Sequence, residues 1–424
     1  MLWSGAQAVL PLSVVVTDID GWRRDRCDGH VSTTDSTLVE VDGTCEPGFE
    51  PVADAFVQNF RSRGDIGAAV SVVVDGRRVV DLWGGAAAPA RPWQRDTIVN
   101  VWSSTKGVVA LAAQMLVDRG QLDLEAPVAE YWPEFAAAGK AEIPVRYLLS
   151  HRAGLSGART ALTVDDLPDW DKITNALAAS EPWWEPGTAS GYHALTFGYL
   201  VGEVIRRVSG RSVGRFVAEE IAGPLAADVI IGLDDDDIAR CATMTMDTPP
   251  PDSANAAMFA QLDSAVLAAL ANPSMAPPGA ADIANADAWR RAEIPATNGH
   301  ATAAGLATVY AVLAHGGEHS GVRLLSPEAA ERIREGQGRG VDLVLGVGNA
   351  GLPNEWALGV ILSGPEGIYG PNPRSFGHSG YGGSFGMADP EARLSIGYVM
   401  NHMGNNLTGD PRQVALTDAV YACL

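Results

Sequence analysis

The amino-acid sequence predicts a mixed α/β (α+β) protein, in which an antiparallel sheet is flanked by helices and a helical domain is inserted. Apolar, β-branched segments lie near residues 68–83 and again near residues 356–400, and the patterns between them are mostly helical. One sheet assembled from both ends of the chain accounts for this order. We expect an N-terminal extension over residues 1–45, a sheet domain over 46–105 and 300–424, and a mainly helical domain over 106–299.

Two elements near the start of the sheet domain follow from short-range signals. Ala68–Val74 and Arg77–Trp83 are apolar segments on either side of Asp75-Gly76, and an Asp-Gly pair in that setting predicts a tight β-hairpin. Apolar residues recur at helical spacing over Ser103–Val117, and Gly120 stands where a helix C-cap is expected.

The later elements are predicted in the same way. Tyr192–Gly210 has helical periodicity, with Tyr192 at the head of the helix. The Pro- and Ala-rich stretch near residues 248–281 cannot form one continuous element, so we expect an irregular lid or loop. The remaining elements are strands at Trp356–Leu362, Ser384–Ala388 and Leu394–Met400, and a final helix at Gln413–Ala422.

The composition limits the possible partners. Hydrophobic residues make up 46% of the 424 residues, which is enough apolar material for a large core. The 30 basic residues against 51 acidic ones give a net charge of −21, which disfavours binding to nucleic acid or anionic membranes. No apolar run reaches the roughly 18 residues of a membrane-spanning helix. The four cysteines form no Cys-x-x-Cys pair, and no convincing signal peptide is present, so we expect a cytoplasmic protein; the oligomeric state stays open.

The first candidate for chemistry is the pair Ser103 and Lys106 at the start of the predicted helix. Side chains three residues apart share a helix face, and the helix N-terminus favours negative charge on a nucleophilic oxygen. A buried lysine binds its proton less tightly and can serve as the base for the serine. By itself this spacing is a weak motif, and two solvated residues at a helix start are the simpler interpretation.

Three further segments favour the catalytic interpretation of Ser103 and Lys106, because they follow this pair in a characteristic order. They are Leu148–Leu155, Tyr192-His193-Ala194 and His378-Ser379-Gly380. With Ser103–Lys106 they resemble the Leu-Leu-x-His-x-Ser-Gly-Leu, Tyr-x-Asn, Lys-Thr-Gly and Ser-x-x-Lys segments of the serine β-lactamase and penicillin-binding-protein superfamily. The resemblance covers about residues 55–420 and is most specific to the class C-like branch and its family VIII carboxylesterases.

This resemblance implies a class C β-lactamase-like fold and acyl transfer without a cofactor or a metal. Ser103 would be the nucleophile, with Lys106 and Tyr192 as the base. The backbone N–H groups of Ser103 and Tyr381 would hold the oxyanion, and His378, Ser379 and Gly380 would line the cleft. As a separate hypothesis, Trp183 or Trp184 forms an apolar wall for the substrate.

Two departures from the family pattern bear on the substrate. Ala194 replaces the asparagine of the second motif and has no side-chain donor for an amide. His378 replaces the lysine of the third motif, and a histidine is mostly neutral at pH 7. Both changes favour a small-molecule ester. The alternatives are a β-lactamase, a D-amino-acid peptidase or an acyltransferase with the same acyl-enzyme, and, outside enzymes, an inactive binding protein on the same scaffold.

Two other motifs compete for the same chemistry. Ser212 and Ser384 each stand in a Gly-x-Ser-x-Gly match, but a nucleophile elbow needs a strand before the serine and a helix after it, and neither site has both. His315 and His319 formally match an inverted zincin motif, but the glycines between them oppose a helix. We therefore expect neither an α/β-hydrolase nor a zinc enzyme.

Overall fold

A computed structural model of the chain describes residues 12–15, 39–247, 279–346, 354–406 and 409–424. Most of the predicted Pro- and Ala-rich insertion and most of the predicted N-terminal extension lie outside these residues.

The strands of the described residues belong to one large sheet and three small ones. In chain order they are Leu12–Val15 (β1), Glu40–Cys45 (β2), Gly67–Val74 (β3), Arg77–Ala88 (β4), Arg91–Pro92 (β5), Val99–Asn100 (β6), Val229–Ile230 (β7), Thr245–Met246 (β8), His300–Ala301 (β9), Glu318–His319 (β10), Val322–Arg323 (β11), Glu355–Trp356 (β12), Ile361–Leu362 (β13), Phe376–Ser379 (β14), Phe385–Asp389 (β15), Leu394–Met400 (β16) and His402–Met403 (β17). The large sheet has the order β1-β2-β4-β3-β16-β15-β14-β13-β12, with β5 paired to β4.

Every pairing in this sheet is antiparallel. The central pair joins the two ends of the chain, because β3 lies against β16 with Val70 opposite Tyr398. The predicted antiparallel sheet assembled from both ends is therefore confirmed. β1 and β2 extend it beyond β4, so residues before position 46 also contribute strands.

The α-helices surround this sheet and fill the middle of the chain. In chain order they are Glu50–Ser62 (α1), Thr105–Asp118 (α2), Val128–Tyr131 (α3), Val145–Leu149 (α4), Trp170–Ala179 (α5), Thr196–Ser209 (α6), Val213–Val217 (α7), Gly223–Leu225 (α8), Asp235–Arg240 (α9), Ala280–Asn285 (α10), Asp287–Arg291 (α11), Ala303–Ala314 (α12), Pro327–Arg332 (α13) and Pro411–Tyr421 (α14).

Helices cover both faces of the sheet, as the alternation of side chains along β16 shows. The Ser395 hydroxyl donates to the Ala307 carbonyl of α12, and a Cβ on Gly397 would lie 2.3 Å from the Ala303 carbonyl. Only glycine allows α12 to approach this closely. Tyr398, the residue after Gly397, points the other way and donates to Asp65, which is paired with Arg412 of α14.

Most predicted elements are confirmed. The β3–β4 hairpin turns at Asp75 and Gly76, both with positive φ, as a two-residue hairpin turn of this kind requires. The helix predicted over Ser103–Val117 is present as α2, although its first residues form a 3₁₀ turn, Trp102–Ser104. The final helix is α14.

Two predicted boundaries are wrong. Tyr192 does not begin a helix, because α6 starts only at Thr196 and the N–H groups before it bind side chains from other segments. The single strand expected over Trp356–Leu362 is a short hairpin of β12 and β13, which reverses near Gly359 at a φ of +90°.

Candidate active site

Ser103 lies in the 3₁₀ turn that leads into α2, and its side chain is half-buried. The preceding Trp102 has a φ of +48°, a strained backbone conformation for a large residue. The turn is fixed on both sides, because the Thr105 hydroxyl donates to the Trp102 carbonyl at 2.6 Å and the Val101 N–H donates to the Gly299 carbonyl at 2.8 Å. Ser103 is thus presented by a rigid, strained turn.

Lys106 follows one turn later and is fully buried. Its Nζ lies 3.1 Å from the Ser103 Oγ. The amine also donates to the Ala194 carbonyl at 2.8 Å and to the Ala296 carbonyl at 2.9 Å. Burial holds the pKa of Lys106 well below its usual value, with no carboxylate among the described residues to offset it.

Tyr192 completes the group from a segment 89 residues away. Its phenolic O–H donates to the Ser103 Oγ at 2.7 Å, and the Lys106 Nζ lies 4.8 Å from the centre of its ring. Burial raises the pKa of Tyr192 above its usual value, so the phenol is protonated at neutral pH. The structure therefore brings Ser103, Lys106 and Tyr192 together, with both partners within 3.1 Å of the serine oxygen.

His151, in the Leu148–Leu155 segment, holds the residues on either side of Tyr192. The His151 carbonyl accepts the Gly191 N–H at 2.9 Å, and its Nδ1 accepts the His193 N–H at 3.1 Å. In return, the His193 Nε2 accepts the Leu155 N–H at 3.0 Å. The two segments therefore interlock, and His151 has a structural role in holding the residues beside Tyr192.

Asp342 and Trp356 also contact Tyr192, and sequence reasoning missed both. Asp342 Oδ1 accepts the Tyr192 N–H at 2.9 Å, and the Trp356 ring stacks on the Tyr192 ring at 5.4 Å. Neither residue belongs to a recognisable motif. Both lie more than 140 residues from Tyr192 in sequence, so no local pattern could have indicated them.

His378 lies in β14 and belongs to the part of the site that the sheet provides. It is buried, its ring centre lies 6.2 Å from that of Tyr192, and its Nδ1 lies 2.9 Å from the Ser379 carbonyl. Burial lowers the pKa of His378 to about 3, so the imidazole is neutral at pH 7. The Ser379 hydroxyl points elsewhere, donating to Gln413 at 2.9 Å and lying 3.1 Å from the Tyr369 hydroxyl.

Gly380 and Tyr381 continue from β14 into the turn beside Ser103. A Cβ on Gly380 would lie 2.2 Å from the Val101 carbonyl, so only glycine fits here. The half-buried Tyr381 ring packs edge-on against Trp102 at 5.8 Å. Among the described residues the backbone N–H groups of Ser103 and Tyr381 donate to no other backbone group, which leaves both available to a ligand.

The two tryptophans suggested as an apolar wall lie in different surroundings. Trp184 contacts the residues that flank Tyr192: it touches Gly191 and packs edge-on against His193 at 5.9 Å. Trp183 lies under the Arg159 guanidinium at 3.6 Å and donates to the Gly157 carbonyl at 2.8 Å.

The competing motif residues have structural contacts. Ser212 caps α7 and donates to Glu293 at 2.6 Å, and Ser384 donates to the Val101 carbonyl at 2.8 Å beneath the Ser103 turn. His315 follows α12 and stacks on His319 at 5.9 Å.

Within the described ranges no three His, Cys, Asp or Glu side chains form a group that could hold a metal ion. None of the helices placed in this structure is long and apolar enough to cross a membrane.

The fold and the Ser-x-x-Lys turn together define a class of protein, the serine β-lactamase and penicillin-binding-protein superfamily, and comparison with known proteins agrees. The sequence profile of the family described as Beta-lactamase matches residues 53–419. The chain belongs to this family.

Three individual relatives are similar to this chain over most of its length. The chain is 40% identical over 374 residues to "Esterase/beta-lactamase LipL" of Mycobacterium tuberculosis (strain ATCC 25618 / H37Rv), covering 86% of this chain and 83% of that protein. A solved family VIII carboxylesterase shares 44% identity at a TM-score of 0.83, covering 91% of this chain and 100% of the other. A penicillin-binding-protein homologue from Caulobacter crescentus shares 42% identity at the same TM-score and coverage.

Proposed function

We propose that this protein is a serine carboxylesterase, which cleaves carboxylic esters through a covalent acyl-enzyme on Ser103 with Lys106 and Tyr192 as the base. The observation that carries the proposal is the position of the Ser103 Oγ, 3.1 Å from the Lys106 amine and 2.7 Å from the Tyr192 phenol. Relatives named as an esterase and as a family VIII carboxylesterase support the same reaction.

The surroundings of Lys106 favour a neutral amine. A neutral amine has two N–H donors and one lone pair, and the Ala194 and Ala296 carbonyls accept two donors. The remaining direction faces the Ser103 hydroxyl. Burial without a carboxylate disfavours the charged form, so the lone pair is free to accept the serine proton.

The protonated phenol of Tyr192 supplies the second half of the proton path. Ser103 attacks the ester carbonyl as its proton passes to Lys106, and the N–H groups of Ser103 and Tyr381 hold the oxyanion. The leaving alkoxide takes a proton through Tyr192, and Lys106 becomes neutral again. A water molecule then attacks the acyl-enzyme, gives its proton to the same pair and releases the acid as Ser103 regains its hydrogen.

The site favours an uncharged substrate. The neutral His378 stands where the family has a cationic lysine, and Ala194 offers only its backbone carbonyl, which Lys106 occupies. A substrate carboxylate would therefore find no fixed cation at the third motif. The second candidate is a β-lactamase, because the LipL relative carries both activities in its name.

The test compares ester and β-lactam turnover in one preparation. We expect hydrolysis of p-nitrophenyl acetate and butyrate, little turnover of nitrocefin, and loss of both in Ser103→Ala. A fluorophosphonate should label Ser103, as mass spectrometry of the labelled peptide will show. Labelling of another serine would contradict the proposed nucleophile, and no labelling would favour an inactive binding protein. Ester product formed with an added alcohol would indicate acyl transfer.

A further inference from the structure

We propose that Asp342 is a positioning residue for Tyr192, acting on its main chain directly and on its ring through Trp356. The inference rests on the proposed function, since it assumes that the Tyr192 phenol takes part in the reaction.

The need for such a residue follows from where Tyr192 lies. It belongs to no helix or strand, and α6 begins only four residues later, so no regular hydrogen-bond pattern fixes its backbone. His151 holds the N–H groups of Gly191 and His193, one on each side. The N–H of Tyr192 itself, between them, is held by Asp342 Oδ1 at 2.9 Å.

The carboxylate of Asp342 is itself fixed by its surroundings. Oδ1 also accepts the N–H groups of Val344 at 2.8 Å and Leu345 at 2.9 Å, which lock the side chain to its own turn. Oδ2 accepts the Trp356 Nε1–H at 2.9 Å. Asp342 is 1% exposed, so these four donors replace the water that a free carboxylate would bind.

Trp356 carries the restraint from this carboxylate to the phenol. Its ring is stacked on the Tyr192 ring at 5.4 Å with only 10° between the planes, and it is 1% exposed. The indole nitrogen is fixed by Asp342, so the ring cannot slide along the Tyr192 ring without breaking that bond. One carboxylate thus fixes two coordinates of Tyr192, its backbone and the plane of its ring.

Asp342→Asn tests this arrangement sharply. The amide oxygen can still accept the three backbone N–H groups, but the amide N–H₂ then faces the Trp356 Nε1–H, donor against donor. We expect this to displace the indole and with it the phenol. Because a shift of about 1 Å can cost about 100-fold in rate, kcat for p-nitrophenyl acetate should fall by about 10-fold or more, with KM within about 2-fold.

Rescue separates positioning from general damage. In the Trp356→Phe background no N–H faces the amide, so Asp342→Asn should cost at least about 3-fold less in kcat than it does beside Trp356. Trp356→Phe alone, which removes the anchoring N–H, should lower kcat with KM unchanged. If Asp342→Asn fails to fold, this single variant decides: an unchanged kcat overturns the inference.

The matched control is Asp389→Asn. Asp389 is also 1% exposed and accepts two backbone N–H groups, from Glu391 and Ala392, but its other oxygen binds the hydroxyl of Tyr421 in α14 instead of an indole that stacks on Tyr192. It should lower the melting temperature as Asp342→Asn does and leave kcat within about 2-fold of the parent. Equal kcat losses in the two variants overturn the inference.

Tyr192→Phe, assayed beside these variants, distinguishes the two proposals. If Tyr192→Phe loses activity and Asp342→Asn does not, the positioning role is wrong and the proposed function stands. If Tyr192→Phe retains full activity, the proposed function itself is wrong.

Discussion

Lys106 and Lys140 are both buried lysines whose amines donate to backbone carbonyls. Each amine has three hydrogen-bond partners, and the two lysines differ in the third partner. Lys140 donates to three carbonyls, those of Ala137, Ala178 and Ser180, which matches the three N–H groups of an ammonium ion. Lys106 has two carbonyls and the Ser103 hydroxyl. The hydrogen-bond partners of the two amines therefore distinguish a structural lysine, Lys140, from a candidate base, Lys106.

Replacing each lysine by methionine tests this contrast. Lys106→Met keeps the apolar stem and removes the amine, and we expect the esterase kcat to fall by about 10²-fold to 10⁴-fold, the usual range for loss of a general base. Lys140→Met leaves three buried carbonyls without a donor and should lower the melting temperature with kcat unchanged. Steady-state kinetics and thermal denaturation of both variants provide the measurement. Similar kcat values in the two would contradict the role of Lys106.

At the scale of elements, the site depends on how closely the end of β14 approaches the turn before α2. Gly380 and Val101 meet there, and Ser384, the residue before β15, donates to the same Val101 carbonyl. The strand that carries the third motif is thereby held against the turn that presents Ser103, the proposed nucleophile. The separation between the N–H groups of Ser103 and Tyr381 is therefore set by backbone contact.

Gly380→Ala should widen this contact. The added Cβ would lie 2.2 Å from the Val101 carbonyl, which a real contact cannot tolerate, so one of the two backbones must move. We expect kcat to fall by about 10-fold or more as the proposed oxyanion donors separate, and the melting temperature to fall as well. Gly279→Ala is the control, because a Cβ there meets no described residue within 4 Å. Kinetics unchanged in Gly380→Ala would show that the contact is not needed.

The elements also show what sequence can predict. The β3–β4 hairpin and α2 follow from local patterns, and the order of the family motifs was enough to bring Ser103, Lys106 and Tyr192 together as candidates. The start of α6 and the hairpin of β12 and β13 were wrong because tertiary contacts decide them. The contact between Asp342 and Tyr192 is also a tertiary contact, across 150 residues of sequence, so it could not be predicted from a local pattern either.

At the scale of the whole molecule, four histidines that are at most 2% exposed link stability to pH. They are His151, His193, His300 and His378. Burial lowers the pKa of His193 to about 4, that of His300 and His378 to about 3, and that of His151 well below its usual value. Each is neutral in the fold and takes up a proton on unfolding below about pH 6.5, so the free energy of unfolding should fall as the pH drops from about 6.5 to 4.

Asp65 and Asp342 act in the opposite direction. Burial raises the pKa of Asp65 to about 6 and raises that of Asp342, so their contribution is present at low pH and is lost as the pH rises through the folded pKa. We expect the four histidines to outweigh these two buried carboxylates and to set the sign of the slope.

Removing one histidine measures this linkage. His300→Leu deletes a buried imidazole outside the catalytic group and should reduce the slope of unfolding free energy against pH by about 1.4 kcal/mol per pH unit between about pH 6 and 4. Urea denaturation at several pH values gives the slope for the parent and the variant. An identical slope in both would show that His300 is protonated in the fold.

The pairing of β3 with β16 has a consequence for how the chain reaches its fold. β3 is made early, but its partner at Leu394–Met400 and the third-motif strand arrive more than 300 residues later. Until then the edge of β3 that later pairs with β16 is unpaired and apolar, so it can pair with other chains. Pairings between segments this distant in sequence also form slowly. During biosynthesis the turn with Ser103 is therefore made long before the third-motif strand that packs against it. A chain stopped short of residue 394 should aggregate rather than retain partial activity.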